Sequence, residues 1–204
     1  AKLRGARRPL IYAGGGVVNG EAAADLSEFA RSFGIPVVTT LMGIGAFDTT
    51  DPLAMRMLGM HGAAFANYAV EDCDFLFAVG ARFDDRVAGV PQRFAPNAKH
   101  IAHVDIDLAE IDKVKRVDWS HVGELPGALR ALTAYGRSSG FRPDLSTWHA
   151  HLDALRRTHA MNYDRDSDLI QPYYVIEEIN RLTKGEAIIA TGVGQHQMLS
   201  LIHI

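Results

Sequence analysis

Arg82 and Arg86 flank two acidic residues, Asp84 and Asp85, directly after an apolar run at residues 74–80. Guanidinium groups form paired hydrogen bonds with carboxylates and phosphates, so this spacing suits an anionic ligand. Ligands of parallel α/β sheets bind at the carboxyl ends of strands, and the preceding run is typical of a fully buried strand. The cluster therefore predicts an anion site, although ion pairs on an exposed surface would have the same composition.

A glycine triplet, Gly14, Gly15 and Gly16, follows a second short apolar run at residues 9–13. Glycines after a strand let a phosphate approach the backbone, and the next helix offers its N-terminal amides to an anion. The following glycine, Gly20, does not complete the Gly-x-Gly-x-x-Gly pattern of dinucleotide-binding folds. A phosphate contact and a tight turn without a ligand are both compatible with the triplet.

Gly59 and Gly62 bracket Met60 and His61 just before a predicted helix. The glycines permit a close approach of the backbone, Met60 offers an adaptable apolar contact, and His61 offers a polar one. The segment is interpreted as a ligand-contacting loop. A loop in which His61 only caps the helix remains the alternative.

Acidic residues end another predicted strand at Asp105 and Asp107, and Glu124 follows Gly123 before a predicted helix. A carboxylate at the end of a strand is where ribose hydroxyls are commonly bound in such folds. Each of these carboxylates could equally serve as a helix N-cap.

A polar, glycine-rich segment at residues 192–198 follows a strand predicted at 186–191. Backbone amides of such a segment can bind a diphosphate. The nine histidines and single cysteine show no zinc-ligand spacing. Cys73 precedes an apolar run and is interpreted as a buried apolar residue rather than a nucleophile.

Alternating strands and helices are required to position these segments. Strands are predicted at residues 9–13, 35–40, 74–80 and 100–105, and helices at 21–33, 62–70 and 122–134. The helix at 21–33 has apolar residues at three- and four-residue spacing, and Gly34 is expected to cap its end. Such strand–helix–strand units form right-handed crossovers, so the predicted fold class is α/β with a doubly wound, parallel, Rossmann-like sheet.

The domain organisation follows from the same pattern. One domain is predicted at residues 1–135, a linker at 136–146, and the truncated start of a second α/β domain at 147–198. That start contains helices predicted near 145–160 and 172–183, too little structure to bury its own apolar faces. Residues 199–204 are unrelated to what precedes them and are interpreted as a non-native tail.

Composition excludes several classes of protein. The chain has 204 residues, of which 48% are hydrophobic and 22% charged, with a net charge of −3. This is typical of a globular protein and gives no general electrostatic case for binding nucleic acid or a membrane surface. No apolar run approaches the ~18 residues of a membrane span, and the N-terminus has no signal-peptide core. A cytoplasmic location is expected, because a single cysteine cannot form an internal disulfide.

Seven segments in order resemble the catalytic subunit of acetohydroxyacid (acetolactate) synthase. They lie at residues 12–16, 40–43, 58–62, 66–70, 82–86, 105–111 and 191–198. That family has three α/β domains, which bind pyrimidine, FAD and the diphosphate of thiamine diphosphate. The resemblance implies that this chain contains the central domain and the start of the third. The activating glutamate and the Mg²⁺ ligands of the family would then lie outside the chain, which holds no metal ligand of its own.

The resemblance also implies site residues. Those expected to contact FAD are Gly14, Gly15, Gly16, Thr40, Leu41, Met42, Leu58, Gly59, Met60, His61, Gly62, Gly80, Arg82, Arg86, Val87, Asp105, Ile106, Gly123 and Glu124. Those expected to contact thiamine diphosphate are Val193, Gly194, Gln195, His196 and Met198. Arg86 is expected to bind the carboxylate of the acceptor substrate, Asp85 to orient Arg86, and Met60 to form the apolar side of the pocket.

The implied reaction decarboxylates pyruvate on thiamine diphosphate and joins the two-carbon unit to pyruvate or 2-ketobutyrate, in branched-chain amino-acid biosynthesis. FAD would have a structural part, since no net redox occurs. The full-length protein would be a homodimer or tetramer, with a small regulatory subunit as a further partner, and the fragment alone is expected to be inactive. The alternatives are a pyruvate oxidase, a glyoxylate carboligase, or a non-catalytic nucleotide-binding module.

Overall fold

The computed structural model describes residues 2–195 and 197–199, and it divides the chain into two compact units, Ala1–His159 and Ala160–Ile204. The first unit contains a six-stranded sheet and carries most of the predicted site residues. No helix in the described part of the chain is long and apolar enough to cross a bilayer.

The sheet of the first unit is parallel throughout. Its strands are β1 (Pro9–Ala13), β2 (Val37–Thr39), β3 (Ala54–Met57), β4 (Phe75–Val79), β5 (His100–Asp105) and β6 (Trp119–Val122). They lie in the order β3-β2-β1-β4-β5-β6. The order reverses direction between β1 and β4, which are direct neighbours. This arrangement confirms the predicted doubly wound α/β fold.

The two central strands, β1 and β4, were predicted from the sequence and are fully buried. Every residue of β1 and β4 is buried, because helices cover both faces of the sheet. The two edge strands were not predicted. All four residues of β6 are exposed, and β3 contains Arg56 at a positive φ of 61° beside an irregular register.

Six helices accompany the sheet: α1 (Gly15–Asn19), α2 (Ala23–Phe33), α3 (Ala64–Asp72), α4 (Asp85–Ala88), α5 (Leu125–Ser138) and α6 (Ser146–Thr158). Helix α2 buries Leu26, Phe29, Ala30 and Phe33 and ends at Gly34, whose φ is 64°, as predicted. The left-handed conformation of Gly34 is one that residues with a Cβ rarely adopt.

The segment predicted as a linker instead belongs to the first unit. Gly136 lies inside helix α5, where a Cβ atom would overlap the ring of Phe33, so this glycine allows two helices to pack closely. Helix α6 also packs on this unit, because Trp148 is buried and its indole N–H donates to the carbonyl of Pro9 at 3.0 Å. The structural boundary therefore falls after His159 and not at residue 135.

The second unit contains helix α7 (Pro172–Thr183), close to the predicted bounds. Tyr163 donates a hydrogen bond to Glu177 of this helix at 2.6 Å. The strand predicted at residues 186–191 is wrong, because these residues are exposed and have no strand assignment. A strand needs a neighbouring strand for its backbone groups, and the described part of this unit provides none.

Candidate functional site

The predicted flavin contacts lie together at the carboxyl edge of the sheet. Backbone hydrogen bonds join the segments that follow neighbouring strands: the Thr40 amide donates to Ala13 O, the Gly80 amide to Val104 O, and the Gly123 amide to Asp105 O, each at 2.9 Å. The structure thus brings one end of all six strands into a single surface. Its centre is the point between β1 and β4 where such sheets bind ligands.

The glycine triplet allows the ends of β1 and β4 to pack closely against each other. The amides of Gly14 and Gly16 donate to Val79 O at 3.0 Å and to Gly80 O at 2.9 Å. A Cβ atom on Gly14 would overlap the carbonyl of Gly80, and one on Gly16 would lie 2.7 Å from the Gly80 Cα. Close packing therefore accounts for these two glycines, whose amides already have partners. A ligand contact at the triplet stays a prediction.

Large apolar side chains are exposed along this edge. Met42, Met60 and Ile106 follow β2, β3 and β5, and their exposed fractions are 72%, 63% and 67%. Leu41 is also exposed, whereas Thr40 is buried and its hydroxyl accepts from the Gly43 amide at 3.0 Å. A row of exposed apolar side chains beside polar groups is typical of a surface that binds a ligand or partner.

The loop at residues 58–62 is clamped by a side chain that was not predicted as a site residue. The amide group of Asn67, in helix α3, accepts from Gly59 N at 2.8 Å and donates to Gly59 O at 3.0 Å. Gly59 itself has a φ of 102° and lies against the carbonyl of Arg86. Asn67 belongs to one of the seven resembling segments, and that was the only signal in the sequence that pointed to it.

The segment at residues 82–86 has two exposed arginine side chains, Arg82 and Arg86. Asp84 caps helix α4 by accepting from the Arg86 amide at 3.2 Å. The Nε atom of Arg86 lies 3.9 Å from Asp85 Oδ2, and both side chains are mostly exposed. Exposed ion pairs of this kind contribute little free energy, so the guanidinium of Arg86 is available to bind an anion. The Sδ atom of Met60 lies 3.9 Å from this guanidinium.

The carboxylates at and after the end of β5 differ in burial and in hydrogen bonding. Asp105 is almost fully buried, and its Oδ1 atom accepts from the Asp107 amide at 3.0 Å. Asp107 caps the short helix at Leu108–Glu110 by accepting from the Ala109 amide at 2.8 Å. Glu124 occupies the N-cap position of α5 without a side-chain hydrogen bond to it. The capping interpretation is therefore correct for Asp107, and Asp105 is the carboxylate at the strand end.

His103 lies beneath this edge as a fully buried side chain. Neither ring nitrogen has a hydrogen-bond partner among the described residues, and Nε2 lies 3.6 Å from Asp105 Oδ2. Burial lowers the pKa of His103 below its ordinary value of 6.5, although the charges of Asp105 and Glu110 act in the opposite direction. The imidazole is therefore neutral at neutral pH.

We expect the stability of the fold to depend on the protonation of His103. Because its pKa is lowered in the folded chain, the unfolded chain binds this proton first as the pH falls. The contribution of neutral His103 to the free energy of unfolding is complete above about pH 6.5, its ordinary pKa. This contribution is lost as the pH falls towards the lower pKa that His103 has in the folded chain. Urea unfolding of His103→Gln at about pH 7.5 and about pH 5.5 should show a smaller pH dependence than the wild type. The surface variant His121→Gln serves as the control, and an equal dependence in all three proteins would contradict the prediction.

The predicted thiamine diphosphate contacts lie in the second unit. Val193 and Gln195 are exposed there, and the Met198 amide donates to Gly194 O at 3.3 Å. His196 lies outside the described residues. Residues 193 and 194 form a bend, residues 195, 197 and 198 are helical, and their contact with the cofactor stays a prediction.

A cavity of about 430 Å³ lies at the opposite, amino end of the sheet. Aromatic side chains line it, including Phe33, Phe75, Trp119 and Phe141. None of the predicted site residues lines this cavity. The described residues contain no group of three or more His, Cys, Asp or Glu side chains placed to hold a metal ion.

Comparisons with known proteins give consistent matches. Residues 1–132 match the family described as "Thiamine pyrophosphate enzyme, central domain". The chain is 49% identical over 195 residues to "Acetolactate synthase 1, chloroplastic" of Zea mays, covering 94% of this chain and 30% of that protein. It is 42% identical over 194 residues to "Acetolactate synthase, chloroplastic" of Arabidopsis thaliana, covering 94% of this chain and 28% of that protein. The chain thus spans less than a third of the length of these relatives.

Proposed function

This chain belongs to the thiamine pyrophosphate enzyme family, as a homologue of acetolactate synthase that contains the family's central domain, and we propose that its first unit binds FAD. The observation that carries the proposal is the set of exposed apolar side chains beside two guanidinium groups and one carboxylate. All of them lie at the carboxyl edge of the parallel sheet.

The chemistry of this edge fits a flavin dinucleotide. Leu41, Met42 and Met60 offer apolar contacts to a planar ring system. The exposed guanidinium group of Arg82 suits a pyrophosphate, whose oxygens it can bind in pairs, and Arg86 lies at the other end of the same segment. Asp105, at the end of β5, is placed to accept hydrogen bonds from ribose hydroxyls, as acids in this position do in other doubly wound folds. Ile106 adds an exposed apolar contact at that end.

The complete protein is proposed to be an acetolactate synthase that joins pyruvate to a second 2-keto acid, pyruvate or 2-ketobutyrate. Thiamine diphosphate, when bound, supplies the electron sink for decarboxylation. In this chain Arg86 would bind the carboxylate of the acceptor, with Asp85 orienting its guanidinium and Met60 forming the apolar side of the pocket. The relatives compared above are acetolactate synthases, which favours this activity over that of a pyruvate oxidase or glyoxylate carboligase.

The remaining cofactor contacts are proposed from the same relationship. The residues proposed to contact the diphosphate and the rings of thiamine diphosphate are Val193, Gly194, Gln195, His196 and Met198. Mg²⁺ would be bound by residues outside this chain. Assembly into a homodimer or tetramer, a small regulatory subunit and a cytoplasmic location are also proposals. The plant relatives, by contrast, carry the word "chloroplastic" in their names.

Titration of the chain with FAD, followed by quenching of flavin fluorescence, tests the binding proposal. We expect saturable binding, and we expect Asp105→Asn to weaken it by about tenfold because an amide accepts hydrogen bonds without the charge. The control is Asp72→Asn, which removes a carboxylate from an exposed ion pair with His151. Absence of saturable binding, or equal affinity of wild type and Asp105→Asn, would contradict the proposal.

A further inference from the structure

A tyrosine of β1 forms a hydrogen bond with the loop between β4 and α4. Residues 81–84 have neither helix nor strand structure, and Arg82 is exposed on this loop. The hydroxyl of Tyr12 donates to the carbonyl of Arg82 at 2.6 Å, across 70 residues of sequence. Tyr12 is fully buried, so neither its ring nor its hydroxyl is exposed to solvent.

The ring of Tyr12 contacts the same loop. Its centroid lies 5.4 Å from that of Phe83 and 5.9 Å from that of Phe94. Phe83 also packs edge-on against His103, with centroids 5.4 Å apart. Burial raises the pKa of the Tyr12 hydroxyl far above its ordinary value, so the hydroxyl remains a donor at physiological pH.

The other end of the segment is fixed from a different strand. The carbonyl of Arg86 accepts from the Met60 amide at 2.9 Å, and Met60 follows β3. Tyr12 and Met60 thus anchor the backbone at Arg82 and Arg86, the two residues with exposed guanidinium groups. These anchors fix the points at which both arginine side chains leave the backbone.

The Tyr12 hydroxyl is not needed for the burial of β1. The neighbouring residues Leu10, Ile11 and Ala13 are buried and apolar, and a phenylalanine would fill the same space. A buried hydroxyl is costly unless it is hydrogen-bonded, and the partner of this one is the loop. The hydroxyl therefore stabilises one conformation of the loop.

We propose that Tyr12 is a positioning residue for the ligand-binding segment at residues 81–86, acting through its hydrogen bond to the Arg82 carbonyl. The consequence for ligand binding rests on the proposed function, since FAD is the ligand assigned to this segment. The anchoring of the loop does not depend on that assignment.

The test compares Tyr12→Phe with Thr133→Val in the full chain. Thr133 donates its hydroxyl to the Leu129 carbonyl at 2.9 Å inside helix α5, so its variant also loses a buried hydroxyl–carbonyl hydrogen bond, away from the site. Both variants keep the shape of the side chain and should unfold at similarly reduced urea concentrations. We expect amide hydrogens of residues 81–88 to exchange about tenfold faster in Tyr12→Phe and at the wild-type rate in Thr133→Val.

FAD affinity is measured on the same proteins, and we expect a loss of about fivefold to tenfold in Tyr12→Phe alone. Equal exchange at residues 81–88 in both variants would overturn the positioning role of Tyr12. Faster exchange in Tyr12→Phe together with no FAD binding by the wild type would support that role and would contradict the flavin assignment. The two proposals therefore fail on different readouts.

Discussion

An Arg86→Ala variant is expected to lose most of the acceptor-dependent activity that we propose for the complete protein. Once the bound acceptor covers the pair from solvent, removing a guanidinium that binds its carboxylate costs about 2–4 kcal/mol, or about 30- to 1,000-fold in kcat/KM. Because the chain spans 30% of its maize relative, the measurement uses a chimera in which this chain replaces the matching part of that protein. The readout is kcat/KM for the acceptor keto acid.

Two further variants separate the specific role of Arg86 from a loss of charge. Arg86→Lys keeps the charge but not the paired hydrogen bonds, so its activity should lie between those of the wild type and Arg86→Ala. Arg137→Ala removes a surface cation in the last turn of α5 that pairs with Glu28 at 2.8 Å, at the opposite end of the sheet, and should be nearly silent. If Arg86→Ala retained wild-type kcat/KM in a folded chimera, Arg86 would not bind the acceptor.

The second large effect is expected from Gly14→Ala, on stability. The added Cβ atom would lie 2.5 Å from the Cα of Ala81, a backbone atom that cannot rotate away as a side chain could. Gly14 has a φ of −108°, which any residue adopts, so the loss would come from the contact alone. Forcing the ends of β1 and β4 apart should reduce the free energy of unfolding by about 3 kcal/mol. Urea denaturation measures this change.

Gly5→Ala is the matched control for Gly14→Ala. Nothing lies within 4 Å of a Cβ atom built on Gly5, so the same chemical change should alter stability by less than about 0.5 kcal/mol. Similar stability of the two variants would mean that β1 and β4 do not approach as closely as described. FAD binding by Gly14→Ala should fall in proportion to the fraction of folded chain. The proposed FAD surface includes the segments after β1 and β4, so it forms only when both strands are in place.

Local patterns were sufficient to predict the centre of the sheet. Strands β1 and β4 are nearly continuous apolar runs because both faces of the sheet are covered, and that composition is visible in the sequence. Helix α2 has its apolar residues at helical spacing and ends at Gly34, so both its face and its end were predictable. The edge strands lack such patterns, because all four residues of β6 are exposed and the short, largely buried β3 is interrupted by Arg56.

The candidate site was predictable in its position but not in its supports. Polar and glycine-rich segments after strands indicated the carboxyl edge, because the ends of parallel strands meet there. The clamp by Asn67 on Gly59 and the bond from Tyr12 to Arg82 were not foreseen. Both are contacts between segments, made by side chains whose types fit an ordinary helix or strand.

The sequence alone determined the fold class, the order of the central elements and the edge on which ligand-binding residues gather. These follow from apolar periodicity and turn composition, which act over a few residues. Only the tertiary structure decided that Gly14 and Gly16 face the backbone of Gly80, and that Trp148 binds the carbonyl of Pro9 and so brings helix α6 into the first unit. Such contacts join residues tens of positions apart, and the need for a close approach or a buried hydrogen-bond partner exists only once the chain has folded.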